Sequence, residues 1–143
     1  MHVAAILKEK GRAVETVTLD ATVMDVAQRL SAKRIGAVVV LGSDKSVAGI
    51  ISERDIIRVI GRDGIAALDW AVADVMTPRV VTCREHDTMD QLMTMMTERR
   101  FRHLPVVENG ELIGIVSIGD VVKHRVAEVE SEAGAMRDYI AHA

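Results

Sequence analysis

The chain has 143 residues, 49% of them apolar and 27% charged, which is the size and balance of a folded domain and excludes a disordered polymer. One Phe, one Trp and one Tyr leave few rings for stacking on bases. A net charge of -3 with both signs interspersed gives no long-range pull on nucleic acid or an anionic membrane, so any anion site must be local.

Met1 to Lys8 holds too short an apolar run for a signal peptide, and nowhere do eighteen apolar residues run together, so a soluble, cytoplasmic protein is expected. Ile6 to Gly11 predicts a short leading helix and Thr16 to Leu19 a brief strand. Val23, Val26, Ala27 and Leu30 fall at i, i+3, i+4 and i+7, the stripe of a helix laid on a sheet, with Asp20 or Thr22 as its cap. Ala37 to Leu41 and Val47 to Ile51 are apolar runs joined through Gly42-Ser43-Asp44-Lys45-Ser46, a buried hairpin, and a helix from Arg54 to Ile60 closes the first unit.

Gly61-Arg62-Asp63-Gly64 marks a break, and Ile65 to Val75 connects, with Trp70, into a second unit at Met76-Thr77-Pro78. Met89, Leu92, Met93 and Met96 repeat the helical stripe. Leu104 to Val107 and Leu112 to Val116 flank Glu108-Asn109-Gly110-Glu111, whose Asn-Gly signals a hairpin. The tail from Val126 is helical in composition. The expected organisation is a first unit with its lead segment at 1–64, a connector at 65–75, a second unit at 76–126 and an accessory helix at 127–143.

The lone Cys83 cannot form an internal disulfide and reads as a small hydrophobe at a strand position. No clustered Cys or His has metal-ligand spacing, and no Ser, His and acid arrangement, Walker loop or Gly-x-Gly-x-x-Gly is present. A chain without these has no visible means of catalysis, and no catalytic cofactor is expected.

One segment is written twice. Gly49-Ile50-Ile51-Ser52-Glu53-Arg54-Asp55-Ile56-Ile57 returns as Gly114-Ile115-Val116-Ser117-Ile118-Gly119-Asp120-Val121-Val122. Thr22-Val23, Leu30 and Arg34-Ile35 likewise return as Thr88-Met89, Met96 and Arg100-Phe101. The pattern β-α-β-β-α therefore occurs twice. Each copy runs a strand into a helix with Ser and Asp at the junction, a spacing that taken alone is also an ordinary capping box.

The tandem Gly-apolar-apolar-Ser-x-x-Asp-apolar, each copy preceded by a helix and a β-hairpin, resembles a pair of CBS domains, over residues 3 to 126. The resemblance implies an α/β fold of two CBS repeats related by a pseudo-twofold and forming one Bateman module. It further implies that each Asp accepts hydrogen bonds from a nucleotide's ribose hydroxyls while the Ser and the helix N-terminus face the phosphate. The first site would hold Ser52, Arg54 and Asp55, and the second Ser117, Gly119 and Asp120.

At the strand entry the second copy has Arg102-His103, followed by Leu104, where the first has Gly36-Ala37. By the resemblance Arg102 and His103 are candidates for holding phosphate beside Asp120; the plain alternative is an exposed charged pair. Each cleft should also borrow the segment entering the opposite unit. For Asp120 this is Gly11 to Val17, with Thr16 and Val17 near the base and Gly36 and Ala37 at the wall. For Asp55 it is Thr77 to Thr82, including Val81.

The implied ligands are AMP, ADP and ATP, with NAD or NADH because a dinucleotide contains an AMP half. The implied role is a sensor of energy or redox state acting on a regulated protein partner. A homodimer is expected through the stripes Val23/Val26/Leu30 and Met89/Leu92/Met93/Met96. The rival readings are an enzyme, an interaction module with empty clefts, and a binder of S-adenosylmethionine; modest basicity argues against RNA.

Overall fold

The computed structural model describes residues 1–142. In chain order it contains α1 (Val3–Lys10), β1 (Thr16–Thr18), α2 (Val23–Lys33), β2 (Ala37–Leu41), β3 (Val47–Ser52), α3 (Glu53–Asp63), two short 3-10 turns at Ile65–Asp69 and Val72–Asp74, β4 (Thr77–Pro78), α4 (Met89–Arg99), β5 (His103–Glu108), β6 (Glu111–Ser117) and α5 (Ile118–His142). No helix of the described residues is long and apolar enough to cross a membrane.

Matching caps fix the matching helices. Thr22 and Thr88 each accept a backbone N–H at the third helical residue, and the Asp25 and Gln91 side chains reach back to the cap's own N–H. Both helices stop at an arginine in the left-handed conformation, Arg34 (φ 55) and Arg100 (φ 58). In the first unit β1 runs parallel to β2, and β3 is antiparallel to both β2 and β4, giving a four-stranded sheet in chain order. The second unit is thinner. Its β5 and β6 pair antiparallel, and the counterpart of β1 is reduced to one parallel bridge from Cys83 to Val106. Cys83 is buried, and burial pushes its thiol up to about 12, so it packs as a hydrophobe.

The two hydrophobic cores do not follow the sequence boundaries. Val3, Ile6 and Leu7 of α1 are sealed into the second core with Leu92, Leu104, Val106 and Val116. Conversely Val72, with Leu68, Val75 and Met76 at its edge, completes the first core around Val26, Val38 and Ile51. The lead segment of each unit thus packs on the other, as a pseudo-twofold requires. α1, which the sequence places in the first unit as part of 1–64, packs in space against the second core.

The repeated glycines make this exchange possible. A Cβ on Gly49 would stand 2.5 Å from the Met76 sulfur and 2.8 Å from the Thr77 carbonyl, and one on Gly114 would stand 2.7 Å from Leu7. Each glycine gives the entering segment room to cross its strand. The helical stripes are also used internally: Val23, Val26, Leu30, Met89, Leu92 and Met96 are all buried, and of the seven stripe residues only Met93 is exposed. They cannot be the dimer surface expected from the sequence. Over 127–142 the expected accessory helix is the continuation of α5, and residue 143 lies outside the described residues.

Candidate functional site

Each motif lies where an inner strand runs directly into a helix. β3 ends at Ser52, still extended at φ -115 and ψ 166, and α3 starts at the next residue. The Ser52 backbone N–H and hydroxyl both donate to Asp55 Oδ2, at 2.9 and 3.1 Å, which closes a capping box. The same box forms at α5, where Ser117 donates from backbone and hydroxyl to Asp120 Oδ2 at 2.9 and 3.0 Å. Capping therefore occupies one oxygen of each carboxylate. The other faces differ. Asp55 Oδ1 receives Thr77 Oγ1 at 3.3 Å and Arg58 Nη1 at 3.5 Å, across a site that leaves the aspartate only 7% exposed.

Asp120 is held differently. Lys10 Nζ, at the end of α1, donates to Asp120 Oδ2 at 2.6 Å. Burial pushes the Asp120 carboxyl up, but the hydrogen bond from Lys10, with the Ser117 backbone, outweighs it and holds the carboxyl below the usual range. Thr77 and Lys10 thus fill equivalent roles, each reaching the motif aspartate of the opposite unit from an entering segment. One is neutral and the other carries a charge.

Between the two motifs lies a cavity of about 400 Å³. Ser52, Arg54, Asp55 and Arg58 come from the first unit, Arg102, His103, Ser117 and Gly119 from the second, and Thr77 from the segment that enters the second. Four arginines, Arg54, Arg58, Arg100 and Arg102, face two carboxylates, Glu53 and Asp55, so the lining is positive by two charges with His103 neutral. That balance makes the cavity locally electropositive in a chain of net charge -3. Ile50, Phe101 and Ile118 add apolar wall. His103 sits where the units meet, since a Cβ on Gly36 would lie 3.3 Å from its Nε2. Burial pushes the His103 imidazole below its ordinary 6.5, with Lys10 and Arg102 adding to this and Glu53 and Asp120 opposing it.

Of the residues expected from the sequence, Gly36, Ser52, Arg54, Asp55, Thr77, Arg102, His103, Ser117 and Gly119 line this one cavity. Asp120 is not part of the lining; its carboxylate is held by Lys10. Ala37 and Leu104 are buried in β2 and β5, and Val81 packs against the second core. Thr16 and Val17 do not line this cavity. They lie in β1, opposite Val39 and Val40, beside a shallow depression against α2 with Asp25 and Arg29. Arg102 and His103 line the cavity together with Arg54 and Asp55, and the Asp120 carboxylate is near enough to act on the His103 imidazole.

Sequence reasoning missed Arg58, Arg100, Phe101 and Lys10. Arg58 was legible as the residue one helical turn after Asp55. Lys10 lay one residue before the stretch expected at the Asp120 cleft, and only the packing of α1 on the second unit reveals its reach.

Comparison with known proteins agrees with this architecture. The family description "CBS domain" matches residues 7–62 and 72–127. The mitochondrial CBS domain-containing protein CBSX3 of Arabidopsis thaliana is 34% identical over 146 residues, covering 96% of this chain and 71% of that protein. Of a longer CBS protein of the same plant this chain spans 22%. Among solved structures, a CBS-domain containing protein from Agrobacterium tumefaciens is 49% identical with TM-score 0.84, over 87% of this chain and 92% of that one. A CBS domain protein from Pyrobaculum aerophilum, solved in complex with AMP, is 28% identical with TM-score 0.75, over 84% and 89%. The paired motifs, the exchanged lead segments and both family matches lead to one conclusion: this chain belongs to the CBS-domain family and carries two CBS domains as one Bateman module.

Proposed function

We propose that the cleft binds an adenine nucleotide, AMP, ADP, ATP or NAD(H), and that the protein is a regulatory sensor of energy or redox state. The observation that carries this reading is the juxtaposition of Asp55, with one oxygen spent on its capping box, and an arginine cluster in one cavity. Ribose hydroxyls suit the carboxylate, and phosphate oxygens suit Arg54, Arg58 and Arg102. The size is that of a small-ligand pocket. The excess of positive charge favours an anionic phosphate over S-adenosylmethionine, whose sulfonium is a cation. Ser52 and Ser117 both spend their hydroxyls on the motif aspartates, which leaves neither paired with a base as a nucleophile. Regulation rather than catalysis is the role that fits.

The two clefts should fill in order. A ligand at Asp120 meets the Lys10 ammonium on the capping oxygen Oδ2, whereas Asp55 lines the arginine-rich cavity itself, so the Asp55 site binds first. Signalling then requires a nucleotide to bind two conformations unequally, and a partner protein to distinguish them. An intracellular compartment that contains nucleotides is the setting this reading needs.

Thermal-shift and calorimetric titrations test it with AMP, ADP, ATP, NAD, NADH, adenosine and S-adenosylmethionine. A phosphorylated ligand at 100 times its dissociation constant should stabilise the fold by about 2.7 kcal/mol, and adenosine and S-adenosylmethionine should bind more weakly. No response to any phosphorylated ligand at millimolar concentration overturns the reading.

A further inference from the structure

The last residues of the buried part of α5 are Val121 and His124, and beyond them the helix runs on to His142 without another buried residue. Its exposed apolar positions are not scattered. Val122, Val126, Val129, Ala133, Met136 and Ile140 follow one another at steps of four, three, four, three and four, and all six are exposed, Val122, Val126 and Val129 by half or more. Alternating steps of three and four give a mean period of 3.5, the seam of a left-handed coiled coil rather than the wider stripe of a helix laid on a sheet. The seam spans about 27 Å at a rise of about 1.5 Å per residue. No element of the described residues covers it.

We propose that this seam is the docking surface for a second copy of the chain, packed as a parallel two-stranded coiled coil. The flanking charges select that occupant and that direction. With Val126, Ala133 and Ile140 at a and Val122, Val129 and Met136 at d, the e positions are Lys123, Glu130 and Arg137, and the g positions are Arg125, Glu132 and Tyr139. In a parallel pair each g residue faces the partner's e residue five positions on. Arg125 then meets the partner's Glu130, and Glu132 meets the partner's Arg137. Every ionic pair is attractive, twice over by symmetry.

The antiparallel alternative pairs e with e and g with g. With Val126 opposite the partner's Met136, Glu130 would face the partner's Glu130, Glu132 the partner's Glu132, and Lys123 the partner's Arg137. Like charges oppose at each of these, so the pattern specifies against that arrangement. Arg125 already reaches Glu128 at 3.2 Å and Asp90 at 3.6 Å, and at 46% exposure it can share its guanidinium with a partner. An anionic membrane is a poor occupant, because Asp120, Glu128, Glu130, Glu132 and Asp138 outnumber Lys123, Arg125 and Arg137 on this helix. The small Ala133 at the central a position lets the two axes approach. The proposal is independent of what the central cavity binds.

Cysteine crosslinking of the full chain tests both contact and direction. In the parallel pair two Met136→Cys side chains meet across the axis, within the short Cα separation a disulfide needs, whereas in the antiparallel pair they lie ten residues, roughly 15 Å, apart. The native Cys83 is buried and does not compete. Met136→Cys should form a covalent dimer under mild oxidation, and Ser131→Cys, on the opposite helix face, should not. Adding Val129→Asp or Glu132→Arg to Met136→Cys should cut the crosslinking rate at least tenfold, and adding Arg137→Glu to the Glu132→Arg variant should restore it. Circular dichroism should show all variants folded, since these positions lie outside both cores. Light scattering should give twice 15.6 kDa for the native chain and a shift toward 15.6 kDa for Val129→Asp. A Met136→Cys rate no faster than that of Ser131→Cys, a trimer, or a charge swap that fails to restore crosslinking overturns the proposal.

Discussion

The carboxylates of Asp55 and Asp120 each cap a helix, and on the proposed reading each also meets the ligand, so substitution separates the two roles. Asn caps a helix about as well as Asp but brings no charge. Asp55→Asn should therefore leave the denaturation midpoint nearly unchanged while costing about 1.5–3 kcal/mol of nucleotide binding by calorimetry; an equal loss in stability and no loss in affinity would assign the residue to the fold alone. Lys10→Met removes the ammonium that occupies Asp120 and should strengthen a second binding event relative to the first, read as a change in stoichiometry at fixed nucleotide. His103 gives the pH dependence. Its free-state value lies below 6.5, and a bound phosphate would raise it, so the complex takes up a proton. Affinity for phosphorylated ligands should rise as pH falls from above the bound-state value to below the free-state value, level off on both sides, and lose this slope in His103→Gln. Calorimetry across pH in buffers of different ionisation enthalpy checks both sign and window. Arg102 and His103 were legible as candidates through the family resemblance, which marks basic side chains at this strand entry, and both line the cavity. Their sharing one cavity with Asp55 was not legible, since it depends on how two surfaces meet.

At the scale of elements, local signals served well wherever a segment's partner is its neighbour in sequence. Thr22 caps α2, the Val23/Val26/Leu30 stripe faces the sheet, and Asn109-Gly110 turns the second hairpin with both residues at positive φ, 51 and 78. Contacts across the repeats left no such signal. The spacing of Val3, Ile6 and Leu7 says that α1 buries a face but not which core receives it, and the methionines of α4 look like a surplus only until α1 arrives to cover the second sheet. The exchange makes a graded prediction for the glycines that admit it. Gly49→Ala drives a methyl group against the Thr77 carbonyl, which cannot move without disturbing β4, and should cost roughly 1–3 kcal/mol or more. Gly114→Ala meets only the side chain of Leu7, which can change rotamer, and should cost less. Urea denaturation of the two variants orders them; a larger loss at Gly114 would mean that α1 is the more rigid crossing.

For the whole molecule, the unit of sequence repetition and the unit of packing are out of step by one segment. Deletion of residues 1–10 should therefore damage the distant half. Val3, Ile6 and Leu7 are fully buried, at about 1.5–3 kcal/mol each, and their loss strips the second core while the first keeps its own connector. The expected outcome is a chain whose single Trp70, seated on the first unit, still reports a cooperative transition, while far-UV circular dichroism shows an earlier loss of structure. One coincident transition by both probes would mean that the two cores melt as one. The same crossing sets a schedule for synthesis. The first helix leaves the ribosome before almost everything it touches, and its seat, built from residues as late as Val121, is finished only when the chain is nearly complete. At translation rates of about 5–20 residues per second that is a wait on the order of ten seconds, with a short greasy helix held open to solvent or to chaperones. A segment made well before the core that seats it is thus among the last of the module to find its place, and the bond between Lys10 and Asp120 marks the moment at which the two ends of the module close.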